Sequence, residues 1–395
     1  MTHSEMVPSE AADSGMTLTV GATVEAEVGP VAHGGHCVAR VDGRVVFVRH
    51  SLPGERVRVR ITEQAKNFWR GDAVEILAAS GDRVTAPCEY AAECGGCDFQ
   101  HVSVPGQLRL LASVVEEQLR RLAGIDRRVE VEEVTPTTQW RTRVRWAVAP
   151  NGLAGLRRHR SHEVLPIERC VIADPGQPEV AAKVWDVDEV FTRVTSTGEQ
   201  VLVAGTSQRV GGPVVHEEVH GVSLAVDAQG FWQVHPASAH TLVDAVVSLA
   251  GLQPGDRVLD LYGGVGLFAR FLAGEGRDVL SIEGDRRASK LAESNLAGVA
   301  SALHGDVVAS LRRGLAGQRA DVVVLDPPRA GAKPAVASIA ALEPRRIVYV
   351  ACDPAAMARD IASFGARGYE LADLRAFALF PMTHHVECVA LLTRA

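Results

Sequence analysis

Cys352 stands where a buried strand ends, and this position makes it a candidate nucleophile. The preceding run Ile347-Val348-Tyr349-Val350 is apolar and mostly β-branched, which is typical of a strand covered on both faces in a parallel sheet. In open α/β sheets, ligands and chemistry collect beyond the carboxyl ends of the strands, where this thiol lies. The alternative is a buried side chain with a packing role, because cysteine is commonly buried.

A second group of thiols comprises Cys88, Cys94 and Cys97, with Cys170 much later in the chain. Gly95-Gly96 allows a tight turn whose amides can point at sulfur and stabilise thiolate charge. Four thiolates suit either zinc or a [4Fe–4S] cluster. Structural zinc usually takes two paired Cys-x-x-Cys hairpins, and only one is present, so we favour the cluster over zinc. Four unligated cysteines are the remaining alternative.

A glycine-rich loop and spaced acids predict a nucleotide pocket in the last third of the chain. Gly264 and Gly266 follow a buried strand and let the backbone approach a nucleotide-like ligand. Glu283 ends the next strand, where an acid typically holds ribose hydroxyls. Asp306 follows the third strand and suits an adenine amino group. Gly264–Ala269 also satisfies a dinucleotide fingerprint, which leaves an NAD-dependent oxidoreductase as an alternative. Glu283 could instead be an acid at a helix start.

Basic residues concentrate in residues 134–162, a window that contains no acid. Trp140 and Trp146 are interleaved with the cations, a combination that fits phosphate contacts and base stacking on RNA. A solvated basic face is the alternative. The candidate RNA-binding residues are Arg141, Arg143, Arg145, Arg157, Arg158 and Arg160.

Composition is ordinary for a globular protein: of 395 residues, 47% are hydrophobic and 23% are charged, with net charge −7. No apolar run approaches the roughly 18–20 residues that span a bilayer. The polar residues 1–16 resemble neither a signal peptide nor an anchor, so we expect a disordered tail and a cytoplasmic protein. Seven cysteines in that compartment favour metal binding or catalysis over disulfides.

The pattern of elements predicts a multidomain α/β protein. Residues 17–79 alternate apolar and polar residues between turn signals, which indicates a small OB-like β-barrel. Residues 80–230 hold the cysteine group, an amphipathic helix at Leu108–Leu122 and several strands, predicting a central α+β domain. Residues 231–395 alternate helices and strands, typical of a doubly wound, Rossmann-like domain.

These motifs together resemble the RNA 5-methyluridine methyltransferases, specifically the iron–sulfur members with a TRAM barrel, which act on 23S rRNA or tRNA. The resemblance extends from the barrel to the last strand, except for Asp174–Val226. It implies S-adenosyl-L-methionine as methyl donor and RNA as partner. From the sequence we expect no membrane partner, and no obligatory protein partner is evident. The resemblance also implies Cys352 as nucleophile, Glu387 as base, and Cys88, Cys94, Cys97 and Cys170 as cluster ligands. The cofactor positions that the resemblance implies are Gln233, Tyr262, Glu283 and Asp326, and the strand pattern adds Gly264, Gly266 and Asp306.

The sequence departs from the family pattern at three positions near the cofactor. Gly263 replaces a cysteine, His235 replaces an asparagine, and Leu267 stands where some members have a polar contact. Two further alternatives remain open. His384 and His385 could form a Cys–His–Glu hydrolase site with Cys352. The chain could also be an RNA-binding or iron–sulfur sensor protein on a catalytically inactive methyltransferase fold.

Overall fold

The computed structural model describes residues 19–315 and 318–395, which form two compact units. The first unit contains residues 19–30 together with His36–Gly81. The second contains Val31–Gly35 and Asp82–Ala395, so the predicted central and C-terminal domains fall within one unit. The predicted tail of residues 1–16 lies outside the described residues.

The first unit is a closed five-stranded barrel. Its strands are β1 (Thr23–Val31), β2 (Cys37–Val41), β3 (Arg44–Arg49), β4 (Arg56–Gln64) and β5 (Trp69–Ala78), in the order β1-β2-β3-β5-β4. Alternation explains the barrel, because Val57, Val59 and Ile61 of β4 fill the interior while their neighbours face outward. The predicted OB-like barrel is confirmed.

The first part of the second unit is mainly antiparallel. Its strands are β6 (Val131–Glu133), β7 (Arg143–Val148), β8 (Ala154–Arg157), β9 (Val164–Pro166), β10 (Glu189–Val194), β11 (Gln200–Ala204), β12 (Ser207–Val210), β13 (Val214–Val219) and β14 (Val222–Asp227). They form a six-stranded sheet, β12-β11-β10-β7-β8-β9, and the hairpin β13-β14. The short β6 instead joins the edge of the large sheet described next.

The remaining strands build an eight-stranded sheet that carries the candidate site. They are β15 (Arg257–Leu261), β16 (Asp278–Glu283), β17 (Ser301–His304), β18 (Val322–Leu325), β19 (Arg346–Ala351), β20 (Tyr369–Ala378) and β21 (Glu387–Arg394). The order is β17-β16-β15-β18-β19-β21-β20-β6, with β15 to β19 parallel and β21 antiparallel to β19. The predicted doubly wound domain is confirmed.

Helices connect and cover these strands. They are α1 (Val104–Gln118), α2 (Ser238–Ala250), α3 (Leu267–Leu272), α4 (Arg286–Asn295), α5 (Val307–Arg313), α6 (Lys333–Ala340) and α7 (Pro354–Gly365). A π-helical turn, Leu119–Ala123, continues α1 and ends at Gly124 with a left-handed φ of 68°. Within the described residues, no helix combines the length and the apolar character needed to cross a membrane.

Candidate active site

The carboxyl ends of β15 to β19 bring the predicted cofactor and catalytic residues to one edge of the sheet. Leu261 of β15 pairs with Ile282 of β16 and with Leu325 of β18, so Tyr262, Glu283 and Asp326 follow neighbouring strand ends. Asp326 N–H also donates to Leu261 O at 3.2 Å. Parallel pairing therefore gathers side chains that are far apart in the sequence, as in other doubly wound folds.

The glycine loop between β15 and α3 adopts backbone conformations that explain its composition. Gly264 and Gly266 have φ of 56° and 89°, the left-handed region that favours glycine. Tyr262 has φ of 61°, a strained value for a bulky residue that often marks a functional position. Gly264 N–H donates to Glu283 Oε2 at 2.8 Å, so this carboxylate lies directly beside the loop. The arrangement can hold a nucleoside-like ligand over the strand ends.

Gly263 shows why this chain departs from the family pattern. A Cβ at this position would overlap Ser281 Oγ and would lie 2.7 Å from Asp260 Oδ2. Asp260 is fully buried, and its Oδ2 accepts hydrogen bonds from Ala269 N–H (3.1 Å) and Ser281 Oγ (3.3 Å). Burial raises the pKa of Asp260 to about 7. The glycine thus makes room for a buried Asp–Ser pair that fixes the start of α3.

Cys352 and Glu387 are neighbours at the ends of two antiparallel strands. Ala351 of β19 is paired with Cys388 of β21, and Cys352 and Glu387 are the residues next to this pair. The charge of Glu387 acts on the Cys352 thiol, so the two side chains lie close together. Glu387 is only 3% exposed, whereas Cys352 is half-buried. A thiol that a ligand can reach therefore has a sheltered carboxyl beside it.

Both groups of this pair favour their neutral forms. Burial, followed by the charge of Glu387, raises the pKa of Cys352 to about 11. Burial and the neighbouring Asp326 raise the pKa of Glu387 well above its usual range. Arg329 opposes both shifts by its positive charge, and it hydrogen-bonds Cys352. Arg329 is thus the cation that favours thiolate formation.

The turn after Cys352 is fixed from two sides. Asp353 caps α7 by accepting a hydrogen bond from Ala356 N–H at 2.7 Å. His33 Nε2 lies 3.4 Å from Asp353 Oδ2, and this contact raises the pKa of His33. Burial alone would raise the pKa of Asp353, but the contacts with His33 and Ala356 leave it lowered.

Gln233 and Asp306 have different surroundings from the residues above. Gln233 is half-buried in a segment anchored on both sides, where Trp232 O accepts from Arg143 and Val234 O accepts from Thr142. Asp306 is exposed, and its Oδ1 accepts from Ala309 N–H at 2.8 Å as the cap of α5. Their cofactor contacts remain predictions.

The four cysteines line one cavity with apolar neighbours. Cys88, Cys94, Cys97 and Cys170 share its wall with Leu156, Ile167 and Ile172. Gly96 N–H donates to Cys94 Sγ at 3.3 Å, as the glycine pair predicts. Burial, with the nearby Cys170 and Cys94, raises the pKa of Cys97 to about 12. Among the described residues, no group of three or more His, Cys, Asp or Glu side chains is arranged to hold a metal ion, so the ligand assignment remains a prediction.

The arginine window differs from the predicted open basic surface. Arg145 pairs with Glu189, and Arg158 pairs with Glu93 and Glu163, so acids from outside the window neutralise part of it. Arg143 Nη1 donates to Trp232 O at 2.6 Å, and burial lowers its pKa to about 10.

The other arginines of the window are more accessible, but its tryptophans are not. Arg157 and Arg160 are exposed, and Arg141 is half-buried. The prediction that Trp140 and Trp146 stack on bases is wrong, because both rings are packed in hydrophobic cores.

Several residues of the site were not predicted from the sequence. Arg329 follows Asp326-Pro327-Pro328, and no local pattern assigns it a role. The sequence places Asp260 in a buried strand but does not indicate its role. That role is evident only from its neighbours Ser281 and Gly263. Asn295 Nδ2 donates to Val265 O at 2.9 Å and holds the glycine loop, a contact that no local pattern reveals.

Comparison with known proteins agrees with this architecture. Residues 17–74 match the TRAM domain, and residues 314–395 match the family described as tRNA (Uracil-5-)-methyltransferase. An uncharacterized RNA methyltransferase of Streptomyces avermitilis is 47% identical over 433 residues, covering 95% of this chain and 99% of that protein. One from Bifidobacterium longum is 40% identical over 420 residues, with coverage of 94% and 96%.

A solved structure supports the same fold. The Pyrococcus abyssi tRNA (uracil-54, C5)-methyltransferase, in complex with S-adenosyl-L-homocysteine, matches 94% of this chain and 100% of its own, with a TM-score of 0.73 and 22% identity. Fold and matches together define an RNA methyltransferase. The chain belongs to the TRAM-containing RNA (uracil-5-)-methyltransferase family. This excludes the oxidoreductase and hydrolase alternatives for the chain.

Proposed function

We propose that this enzyme makes 5-methyluridine in RNA, with Cys352 as nucleophile and Glu387 as base. The observation that carries the proposal is the pairing of β19 with β21, which brings Glu387 next to Cys352. Uracil C5 is a poor nucleophile, so methylation there requires activation of the ring. A thiolate that adds to C6 supplies the electron density, and a carboxylate is suited to remove the C5 proton afterwards.

The proposed steps balance in atoms and charge. The Cys352 thiol first loses its proton to solvent; Sγ, as thiolate, then forms a bond to C6, and the C5=C6 electrons move into an enolate. S-adenosyl-L-methionine supplies a sulfonium methyl, which C5 attacks while the methyl–sulfur bond breaks. Glu387, after losing its own proton to solvent, then takes the C5 proton as a carboxylate, and the Sγ–C6 bond breaks as the C5=C6 double bond returns. Arg329 favours the thiolate needed for the first step.

Residues around the glycine loop fit the methyl donor. Glu283, held beside Gly264, suits the ribose hydroxyls, and Asp306 suits the adenine amino group. Among the described residues, Asp260 Oδ1 is buried without a hydrogen-bond partner, which suits a site that receives a cationic ligand nearby. Gln233, Tyr262 and Asp326 complete the proposed set.

We propose that the substrate is RNA and that the class of RNA is 23S rRNA, because the chain resembles the iron–sulfur members of the family. The target base must leave its stack to reach Cys352, which takes a few kcal/mol unless the loop is already open. The exposed Arg157 and Arg160 are the residues of the arginine window best suited to contact phosphates. Incubation with separated rRNA and tRNA distinguishes the classes: label in tRNA alone would contradict the rRNA proposal.

We propose that the four cysteines hold a [4Fe–4S] cluster rather than one zinc ion. Their shared cavity is lined by aliphatic side chains, and an amide points at Cys94 Sγ. Anaerobic preparation should yield about four irons and four sulfides per chain. Zinc alone would contradict the assignment.

The enzymatic proposal is tested with labelled S-adenosyl-L-methionine and RNA. The wild type should form 5-methyluridine, and Cys352→Ala should abolish it. Cys388→Ala is the matched control, since this thiol is buried in the same pair of strands and belongs to no proposed step. Equal product from Cys352→Ala and wild type would overturn the mechanism. RNA binding without methyl transfer by the wild type would favour the inactive-fold alternative.

A further inference from the structure

The turn that precedes Glu387 is fastened to the loop that carries Cys97. Met382 lies between β20 and β21, and its carbonyl accepts hydrogen bonds from both Asp98 N–H and Phe99 N–H at 2.9 Å. Met382 N–H donates to the buried Gln107 Oε1 at 2.9 Å. Met382 has φ of 69°, a left-handed conformation that bulky side chains rarely adopt. Three hydrogen bonds therefore hold this turn in an unusual shape.

Asp98 makes a second attachment through its side chain. Its Oδ2 lies 2.6 Å from His384 Nδ1 and accepts from His384 N–H at 3.2 Å. The carboxylate is 14% exposed, so water competes little with these contacts. The close approach also involves Gly35, because a Cβ there would lie 2.7 Å from His384 Cβ and 3.3 Å from Asp98 Cβ.

The segment between Met382 and Glu387 is short and is held by hydrogen bonds of its own. Thr383 Oγ1 donates to Phe380 O at 2.7 Å and accepts from His385 N–H at 3.3 Å. The His384 and His385 rings are 4.1 Å apart. Glu387 follows two residues after His385 as the first residue of β21. The orientation of its carboxyl at the end of the strand thus depends on where this turn is held.

We propose that Asp98 is a positioning residue for Glu387, acting through His384 and the Met382 turn. The inference rests on the proposed function, in which Glu387 removes the C5 proton. Loss of the Asp98 carboxylate frees the turn and displaces the Glu387 carboxyl, while Cys352 stays on β19. Addition and methyl transfer then proceed, but elimination slows. The enzyme accumulates a covalent adduct with ordinary uridine.

The test incubates the full-length protein with S-adenosyl-L-methionine and RNA that contains ordinary uridine. The covalent protein–RNA adduct is then measured by denaturing electrophoresis. Asp98→Ala should lower turnover at least tenfold and raise the trapped fraction severalfold, with S-adenosyl-L-homocysteine binding within about twofold of wild type. Asp98→Asn keeps an acceptor oxygen for His384 and should recover most of the lost turnover. Asp244→Ala, which removes an exposed Asp–His contact with His220, is the matched control and should behave as wild type.

Glu387→Gln separates this inference from the proposed function. It should trap adduct with ordinary uridine because it lacks the base, and failure to do so contradicts the proposed function itself. If Glu387→Gln traps adduct and Asp98→Ala does not, the positioning role is wrong. His384→Ala should reproduce Asp98→Ala. If Asp98→Ala and His384→Ala both lose S-adenosyl-L-homocysteine binding, the contact between Asp98 and His384 stabilises the fold as a whole. That result would also overturn the inference.

Discussion

Replacing Gly263 by alanine tests the account of the glycine loop. The new Cβ would overlap Ser281 Oγ and approach Asp260 Oδ2 to 2.7 Å. Both groups lie in a close-packed interior, so relief requires a shift of α3 or of β16. Forcing an extra carbon into such a site typically costs about 1–3 kcal/mol of stability. Since the shift would move Gly264 away from Glu283, we also expect weaker S-adenosyl-L-homocysteine binding.

A second substitution makes the prediction specific to this contact. Ser281→Ala removes the overlapping hydroxyl together with its hydrogen bond to Asp260, a loss of about 1 kcal/mol. The double variant should therefore lose less stability than the sum of the two single variants, because the overlap with Ser281 is gone and only the close approach to Asp260 Oδ2 remains. The coupling between the two substitutions should be about 1–2 kcal/mol, within the range for residues in contact.

Urea unfolding and calorimetric binding of S-adenosyl-L-homocysteine measure both effects. Gly365→Ala is the control, since a Cβ there meets nothing within 4 Å and the position needs no positive φ. It should be neutral or slightly stabilising. Additivity of Gly263→Ala and Ser281→Ala within about 0.5 kcal/mol would refute the packing argument.

Three further predictions follow from ionisable groups. Because the pKa of Cys352 is raised to about 11, the rate of adduct formation should still be rising at pH 9; a plateau below pH 8 would contradict this. The contact with Asp353 raises the pKa of His33 in the folded protein. The contact therefore stabilises the folded state fully at pH values below the ordinary histidine pKa. This stabilisation is lost as the pH rises through the raised pKa. Urea unfolding of His33→Ala should show a loss of roughly 0.2–1 kcal/mol at pH 6 and none at pH 9. Arg193 is 0% exposed and contacts Glu217 Oε1 at 2.6 Å. Glu217→Ala should cost about 3–5 kcal/mol in urea unfolding, whereas an unchanged midpoint would refute the buried pair.

Much of the scaffold was predictable because its signals are local. The apolar runs before Tyr262, Asp326 and Cys352 form parallel strands. Because parallel strands run in the same direction, their carboxyl ends lie at the same edge of the sheet. The glycine pattern at Gly264 and Gly266 reflects backbone needs that few other residues satisfy. These features follow from short-range sterics and from alternation.

The errors arose where partners come from distant parts of the chain. An acid-free window in sequence does not make an acid-free surface, because Glu93 and Glu189 reach Arg158 and Arg145 from other segments. The burial of Trp140 depends on Met382, more than two hundred residues away. Likewise, nothing local marks Asp98 as a partner of His384. Such contacts are set by tertiary packing, which a single sequence does not display.

The most direct test of the central claim is covalent capture of the nucleophile. Wild-type enzyme is incubated with S-adenosyl-L-methionine and RNA containing 5-fluorouridine, whose fluorine cannot leave as a proton. Mass spectrometry of the digested complex should then find the methylated nucleotide on Cys352 alone. Absence of an adduct, or an adduct on another residue, would contradict the assigned chemistry.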